Sequence, residues 1–214
     1  VFGRLISPDA RDANYPARLL LDMTRDEPLP PFKYWTAGNQ LDQGQTGHCV
    51  GFGFEQFLGT SPVRDAISND GAHALYADAK KIDGMPNEEG STVRAGAQVL
   101  QQRGRIDKYL WAQSLDDIAR YLLLHGPVVV GTNWYRGMLT PKGGRLDVSG
   151  DNVGGHCWIL RGRDTRKGLF RMKNSWSRSW GEKGEAWIAD RDLDRLMAEG
   201  GEACLAAELP LVKA

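Results

Sequence analysis

Gln43-Gly44-Gln45-Thr46-Gly47-His48-Cys49-Val50-Gly51-Phe52 is a glycine-rich turn that delivers a cysteine into the first turn of a helix. The apolar residues Val50, Phe52, Phe54, Phe57 and Leu58 fit one face of a short helix, which sets Cys49 at or near its N-terminus. Unpaired backbone N–H groups and the helix dipole favour a thiolate there, so the position predicts a nucleophilic cysteine. Such a nucleophile needs a base to take and return its proton, and donors for a developing oxyanion.

Two later stretches supply them. Gly154-Gly155-His156-Cys157-Trp158-Ile159-Leu160 puts a histidine at the mouth of an apolar strand, and Lys173-Asn174-Ser175-Trp176-Ser177-Arg178-Ser179-Trp180-Gly181 puts an amide next to two tryptophans. The order Cys, His, Asn, with Gln43 six residues before Cys49, resembles the papain-like (C1) cysteine peptidases. The family block Q-G-x-C-G-S-C-W-A-F is matched at Gln43, Gly44, Gly47, Cys49 and Phe52. The block K-N-S-W-G-x-x-W-G-E-x-G is matched at Lys173, Asn174, Ser175, Trp176, Trp180, Gly181, Glu182 and Gly184. Gly126-Pro127-Val128-Val129-Val130 and Tyr135-Arg136-Gly137 are similar to the family's proline-initiated strand and the segment after it. The similarity runs from about Gln40 to the C-terminus.

The chain departs from the pattern in several places. His156 and Asn174 follow Cys49 by 107 and 125 residues, against about 130–150 in papain-like enzymes, so the connecting loops must be short. Val50 stands where the family usually has Trp, Ser177 where it has Gly, and Thr46 where it has a disulfide-forming Cys.

The resemblance implies a two-lobed α+β fold of papain type, a helical first lobe and an antiparallel, sheet-rich second lobe with the active-site cleft between them. It implies Cys49 as nucleophile, His156 as proton shuttle, Asn174 as the residue that orients His156, and Gln43 with the Cys49 backbone N–H as oxyanion donors. Trp176 would shield the His–Asn hydrogen bond from water. By position Gly90 matches the glycine strand that pairs with substrate backbone. Gly131, Gly155 and Cys157 match the positions lining the pocket for the second residue before the cut, and their small size predicts a roomy pocket for a bulky apolar or aromatic side chain.

At 214 residues, 41% hydrophobic and 25% charged, the chain suits one sizeable core or two lobes sharing a cleft. Basic and acidic residues balance at 27 each, leaving no general field for nucleic acid or an anionic membrane. The expected partner is a peptide or protein substrate. Three cysteines cannot make a disulfide framework, and Cys157 reads as a small core residue. That usage, with no signal-like apolar run, predicts a cytoplasmic protein, or a virion-associated one if it is of phage origin.

Residues 1–36 read as an extended arm along a globular body, with Leu19, Leu20 and Leu21 as its dense apolar cluster and Pro28, Pro30 and Pro31 closing it. They leave no room for the long helical pro-segment of secreted relatives, so restraint would come from narrow specificity, a partner or this arm. A helical lobe is expected over residues 37–110 and a β-rich lobe over 111–214, in a single catalytic domain. Residues 72–80 have helical composition, with His73 read as structural or on the surface. Ser91 or Thr92 caps a helix over 93–100. Ser114 opens a capping box before Ile118, Tyr121, Leu122 and Leu124, and His125 reads as a favourable C-terminal charge. Strands are expected at 128–130, 157–161, 169–173, 185–189 and about 203–207, with a short helix at 193–197.

Competing chemistry is sparse. There is no paired Cys-x-x-Cys or His-Glu-x-x-His, and no third ligand beside His156 and Cys157, so neither a metal nor any other cofactor is expected. His48, beside the nucleophile, reads as a solvated loop residue, or as a nearby cation that would also favour the thiolate. The sequence thus predicts a thiol hydrolase of peptide or isopeptide bonds. Two alternatives remain: a transpeptidase or cell-wall peptide amidase with the same residues, and a catalytically silent binding or structural module, for example in a phage particle.

Overall fold

The computed structural model describes residues 2–7 and 16–208; the side chains of Leu19 and Leu20, in the expected apolar cluster of the arm, lie outside what is described. Among the described residues six α-helices and seven strands follow in the order α1 (Arg18–Leu21), β1 (Phe32–Tyr34), α2 (Cys49–Leu58), α3 (Asn69–Ile82), α4 (Val93–Gln102), β2 (Ile106–Trp111), α5 (Leu115–Leu124), β3 (Val128–Tyr135), β4 (Asn152–Asp164), β5 (Leu169–Lys173), β6 (Glu185–Ala189), α6 (Asp190–Ala198) and β7 (Glu202–Glu208). The strands form one antiparallel sheet, ordered β2-β7-β3-β4-β5-β6, with β1 paired to the far end of β4.

Successive side chains of a strand point to opposite faces, and here each face meets a different set of helices. Val128, Val130, Trp134, Trp158, Leu160 and Leu205 belong to a core shared with Ile118 and Leu122 of α5 and with Leu193 and Leu196 of α6. Their alternates Val129, Cys157, Ile159, Cys204 and Ala206 pack with Val50, Phe54 and Phe57 of α2 and Val99 and Leu100 of α4. This double coverage explains why β3 and β4 read as continuous apolar runs. Gly53 lets α2 lie close on the sheet, since a Cβ there would be 2.8 Å from Cys157 Sγ.

Local chemistry sets the helix ends as the sequence suggests. Thr92 accepts from Ala95 N–H at the start of α4, and Ser114 and Asp117 form a reciprocal capping box on α5. The expected strands 169–173 and 185–189 are β5 and β6. Strands β1 and β2 carry no comparable signal and are found only by pairing.

Three readings are corrected. Residues 1–36 are not uniformly extended: Arg18–Leu21 is a helical turn running into a 3-10 turn, and the arm begins inside the groove described below. His125 does cap α5, but half-burial lowers its pKa, which weakens the charge expected at the helix end. His48 is not a solvated loop residue. Its ring stacks on Tyr76 at 3.7 Å, and its Nδ1 lies 2.7 Å from Nδ1 of His73.

Candidate active site

Cys49 is the first residue of α2, where the sequence places it, and its side chain is fully buried against the sheet. Backbone N–H groups of Cys157, Gly3 and Val50 favour its thiolate, but burial outweighs them and pushes the thiol up to about 11. The thiolate expected at a helix N-terminus is thus not the resting form of the covered site, because desolvation penalises the charged sulfur more than the nearby dipoles stabilise it.

His156 lies on β4 directly before Cys157, and the alternation of the strand sends the two side chains to opposite faces. Cys157 points to the α2 side, and His156 to an aromatic face. Trp134 and Trp176 lie 4.8 and 4.7 Å from the imidazole, ring centre to ring centre. Asn174 Oδ1 is 2.7 Å from His156 Nε2. The same oxygen accepts the backbone N–H of Ser175 at 2.8 Å. A backbone N–H can only donate, so this second bond fixes which amide atom is oxygen, and that oxygen makes Nε2 the protonated nitrogen of a neutral ring. Nδ1 is left as the acceptor, buried without a hydrogen-bond partner. Burial pulls the imidazole down to about 4, against the raising effect of Asn174.

Gln43 is almost fully buried in the turn before α2. Its Oε1 accepts from Ser175 Oγ at 2.6 Å and its Nε2 donates to Thr46 O at 2.7 Å, so its amide plane is fixed from both ends. Ser175, between Asn174 and Trp176, therefore holds both Asn174 and Gln43. Sequence reading missed this role, although Ser175 lies inside the Lys-Asn-Ser-Trp block. Trp176 packs edge-on to Trp134 and Trp180. Beside it a cavity of about 430 Å³ is lined by Leu139, Pro141 and Trp180.

Residues 2–5 of the chain lie along this groove. Gly3 and Arg4 both donate backbone N–H to Gly155 O, at 3.1 and 3.0 Å. On the opposite wall Ser91 N–H donates to Gly3 O at 2.7 Å, and Leu5 N–H to Ser91 O at 2.8 Å. Phe2 sits edge-on to His156 and Trp176, at 6.3 and 5.9 Å. Gly3 is buried so tightly that a Cβ would overlap the Gly47 carbonyl. It is this segment that covers Cys49 and His156.

The remaining sequence candidates surround the same segment. Gly155 faces the Arg4 carbonyl and Gly131 the Arg4 side chain, with no room for a Cβ at either. Cys157 lies beneath them. Gly90, at φ +102°, allows the Gly3 carbonyl to approach. Its own N–H is bound to Tyr76 Oη at 3.0 Å, so the residue that pairs with the backbone in the groove is its neighbour Ser91.

The chain superposes on xylellain, a cysteine protease from Xylella fastidiosa, with a TM-score of 0.72 at 19% identity, covering 98% of this chain and 96% of that one. The fold is papain-like. Procathepsin B S9 of Trypanosoma congolense shares the papain-like fold with a TM-score of 0.70 at 12% identity, over 98% of this chain and 87% of that one. A digestive procathepsin L2 proteinase from the Tenebrio molitor larval midgut gives 0.67 at 16% identity, over 96% and 77%. No protein-family model matches the sequence, and no curated protein matches it. Among the described residues no group of His, Cys, Asp or Glu is arranged to hold a metal ion, and no helix is long and apolar enough to cross a membrane.

Proposed function

We propose that this chain is a papain-like cysteine peptidase that cleaves peptide or isopeptide amide bonds through an acyl-enzyme on Cys49. What supports it is the fixed polarity of His156: the Ser175 and Asn174 bonds leave its Nδ1 lone pair as a buried acceptor, on the residue adjoining the Cys157 N–H that favours the Cys49 thiolate. A silent binding module has no use for such an acceptor, and burying one unpaired is costly.

In the proposed reaction residues 2–5 first leave the groove and rehydrate the pair. His156 Nδ1 then takes the Cys49 proton, and the sulfur attacks the substrate carbonyl carbon. The oxygen gains charge towards the Cys49 backbone N–H and Gln43 Nε2. The C–N bond breaks as His156 returns the proton to the departing amine. Water, deprotonated by His156, then attacks the thioester, releases the acid and restores the thiol. Asn174 keeps the ring in the tautomer that both halves require.

Profiling a peptide library with the purified chain tests this. His156→Ala should keep the fold and lose about 10²-fold or more in kcat, with Asn174→Ala milder. No turnover of any peptide together with no covalent adduct at Cys49 would hand the chain to the silent-module reading.

A further inference from the structure

Helices α2 and α4 cover the second face of the sheet over β3, β4 and β7. On β5, Phe170 and Met172 belong to the core on the other face, so their alternates Arg171 and Lys173 point to the side that α2 and α4 do not reach. Over them lie residues 34–40, Arg64 and the turn carrying Arg178, Glu182 and Lys183, which bound a cavity of about 830 Å³. Its wall carries six cationic side chains, Arg64, Arg161, Arg171, Lys173, Arg178 and Lys183, against two carboxylates, Glu182 and Glu185. The whole chain balances at 27 basic and 27 acidic residues, so this excess is local.

Both carboxylates are already committed. Glu185 accepts from Arg161 Nε and Nη2 at 2.7 and 2.5 Å and from Arg171 Nε at 2.9 Å, and Glu182 accepts from Arg171 Nη1 at 2.6 Å. Among the described residues Arg64, Lys173, Arg178 and Lys183 form no ion pair. Lys173 is buried, and its Nζ donates to a neutral acceptor, Gln40 Oε1, at 2.8 Å. Burial holds its ammonium down to about 8; Glu185 opposes this, while Arg161 and Arg178 add to it. An anion in the cavity would offset that cost. The nearby rings each carry a cation already, Arg161 over Tyr34 at 5.2 Å and Lys33 over Trp35 at 4.2 Å, so recognition here rests on charge and not on stacking.

We propose that this cavity binds a small ligand bearing two phosphate groups. A phosphomonoester brings about −1.5 to −2 charges and three strong acceptor oxygens, so two phosphate groups approach the charge of the four cations left without a carboxylate. A dicarboxylate would leave about half of that excess uncompensated. Guanidinium forks suit phosphate oxygens, and a lysine adds a point charge beneath them. The cavity is of a size that small-molecule sites commonly have. Its floor also meets the catalytic residues, since Gln40 Nε2 donates to the Asn174 carbonyl at 2.5 Å. Substitutions at Lys173 or Gln40 would therefore disturb the partner of His156 as well, and the exposed Arg178 and Lys183 carry the test.

The full-length chain is titrated with pyrophosphate, citrate and sulfate by isothermal calorimetry at fixed ionic strength. Pyrophosphate should bind at least about 10-fold more tightly than either other anion, and Arg178→Gln combined with Lys183→Gln should weaken it by about 10-fold or more. Arg191→Gln removes an exposed cation outside the cavity and should leave the affinity unchanged. No binding of pyrophosphate, equal binding of the three anions, an unchanged affinity in the double variant, or the same loss from Arg191→Gln would overturn the site. Tighter binding of a glutamate-rich peptide than of pyrophosphate would also overturn it, because the surface would then be a docking face for an acidic protein. The comparison among ligands decides even if the double variant does not fold. No arm of the experiment uses Cys49 or turnover, so its outcome is independent of the peptidase reading.

Discussion

At His156 a single proton position is fixed by three residues in a row of contacts: Ser175 N–H orients Asn174, Asn174 orients the ring, and the ring presents Nδ1. Burial holds that ring at about 4, against 6.5 for an exposed histidine. A group whose pKa falls on folding binds its proton first in the unfolded chain. Its neutral, buried state therefore costs nothing above pH 6.5, and stability is lost as pH falls from 6.5 towards 4. The loss at the acid end is about 3 kcal/mol. Urea melts of the wild type and His156→Gln across this window should converge in slope for the variant, and an identical pH dependence in both would contradict it. Gln43 is the second residue whose role rests on orientation. Its amide is clamped by Ser175 and Thr46, as a preorganised donor should be. Gln43→Ala should lower kcat by about 10²-fold, about 3 kcal/mol, with little change in KM. Alkylation of Cys49 by iodoacetamide builds no oxyanion and should be nearly unaffected; loss of both together would remove Gln43 from the oxyanion role.

Among the elements, α2 and the segment at residues 2–5 act against each other. Helix α2 provides Cys49 with N-terminal dipoles, while the segment removes water from it, and burial prevails. The segment's place depends on Gly3, because the obstacle to any Cβ there is the Gly47 backbone carbonyl, which cannot rotate away as a side chain would. Overpacking of this kind costs about 1–3 kcal/mol. Gly3→Ala should shift the segment out of the groove and speed Cys49 alkylation by about 10-fold or more, as followed by mass spectrometry of the intact chain. An unchanged rate would mean that the segment does not limit access to the thiol. The same comparison should show Cys157 and Cys204 unlabelled in both proteins, since each is fully buried within the sheet.

For the whole molecule, cohesion comes from one sheet packed on both faces and from charge networks at its margin, with no covalent cross-link among the described residues. Cys49, Cys157 and Cys204 take part in no disulfide. Reductant should therefore leave the melting temperature unchanged in a calorimetric scan and sustain activity by keeping Cys49 reduced; a marked fall in melting temperature would reveal a bridge. Near β6, Glu185 accepts from Arg161 and Arg171 together, and Arg161 also reaches the Trp35 carbonyl, tying the end of the arm to the sheet. The sequence by itself determined the elements whose signals are local. Cys49 at a helix start, the Ser114 capping box, β5 and β6, and the residue types Gln, Cys, His and Asn in order all follow from spacing, caps and apolar runs, which depend on neighbours a few positions away. Only the tertiary structure decided what distant segments do to one another. β1 and β2 exist as strands because β4 and β7 supply their hydrogen bonds. Ser91 faces the groove where Gly90 was expected, because Tyr76 takes the Gly90 N–H. Arg4 meets Glu202 across 198 positions of sequence, a contact no periodicity announces, because strand register and a missing side chain at Gly131 create the space between them.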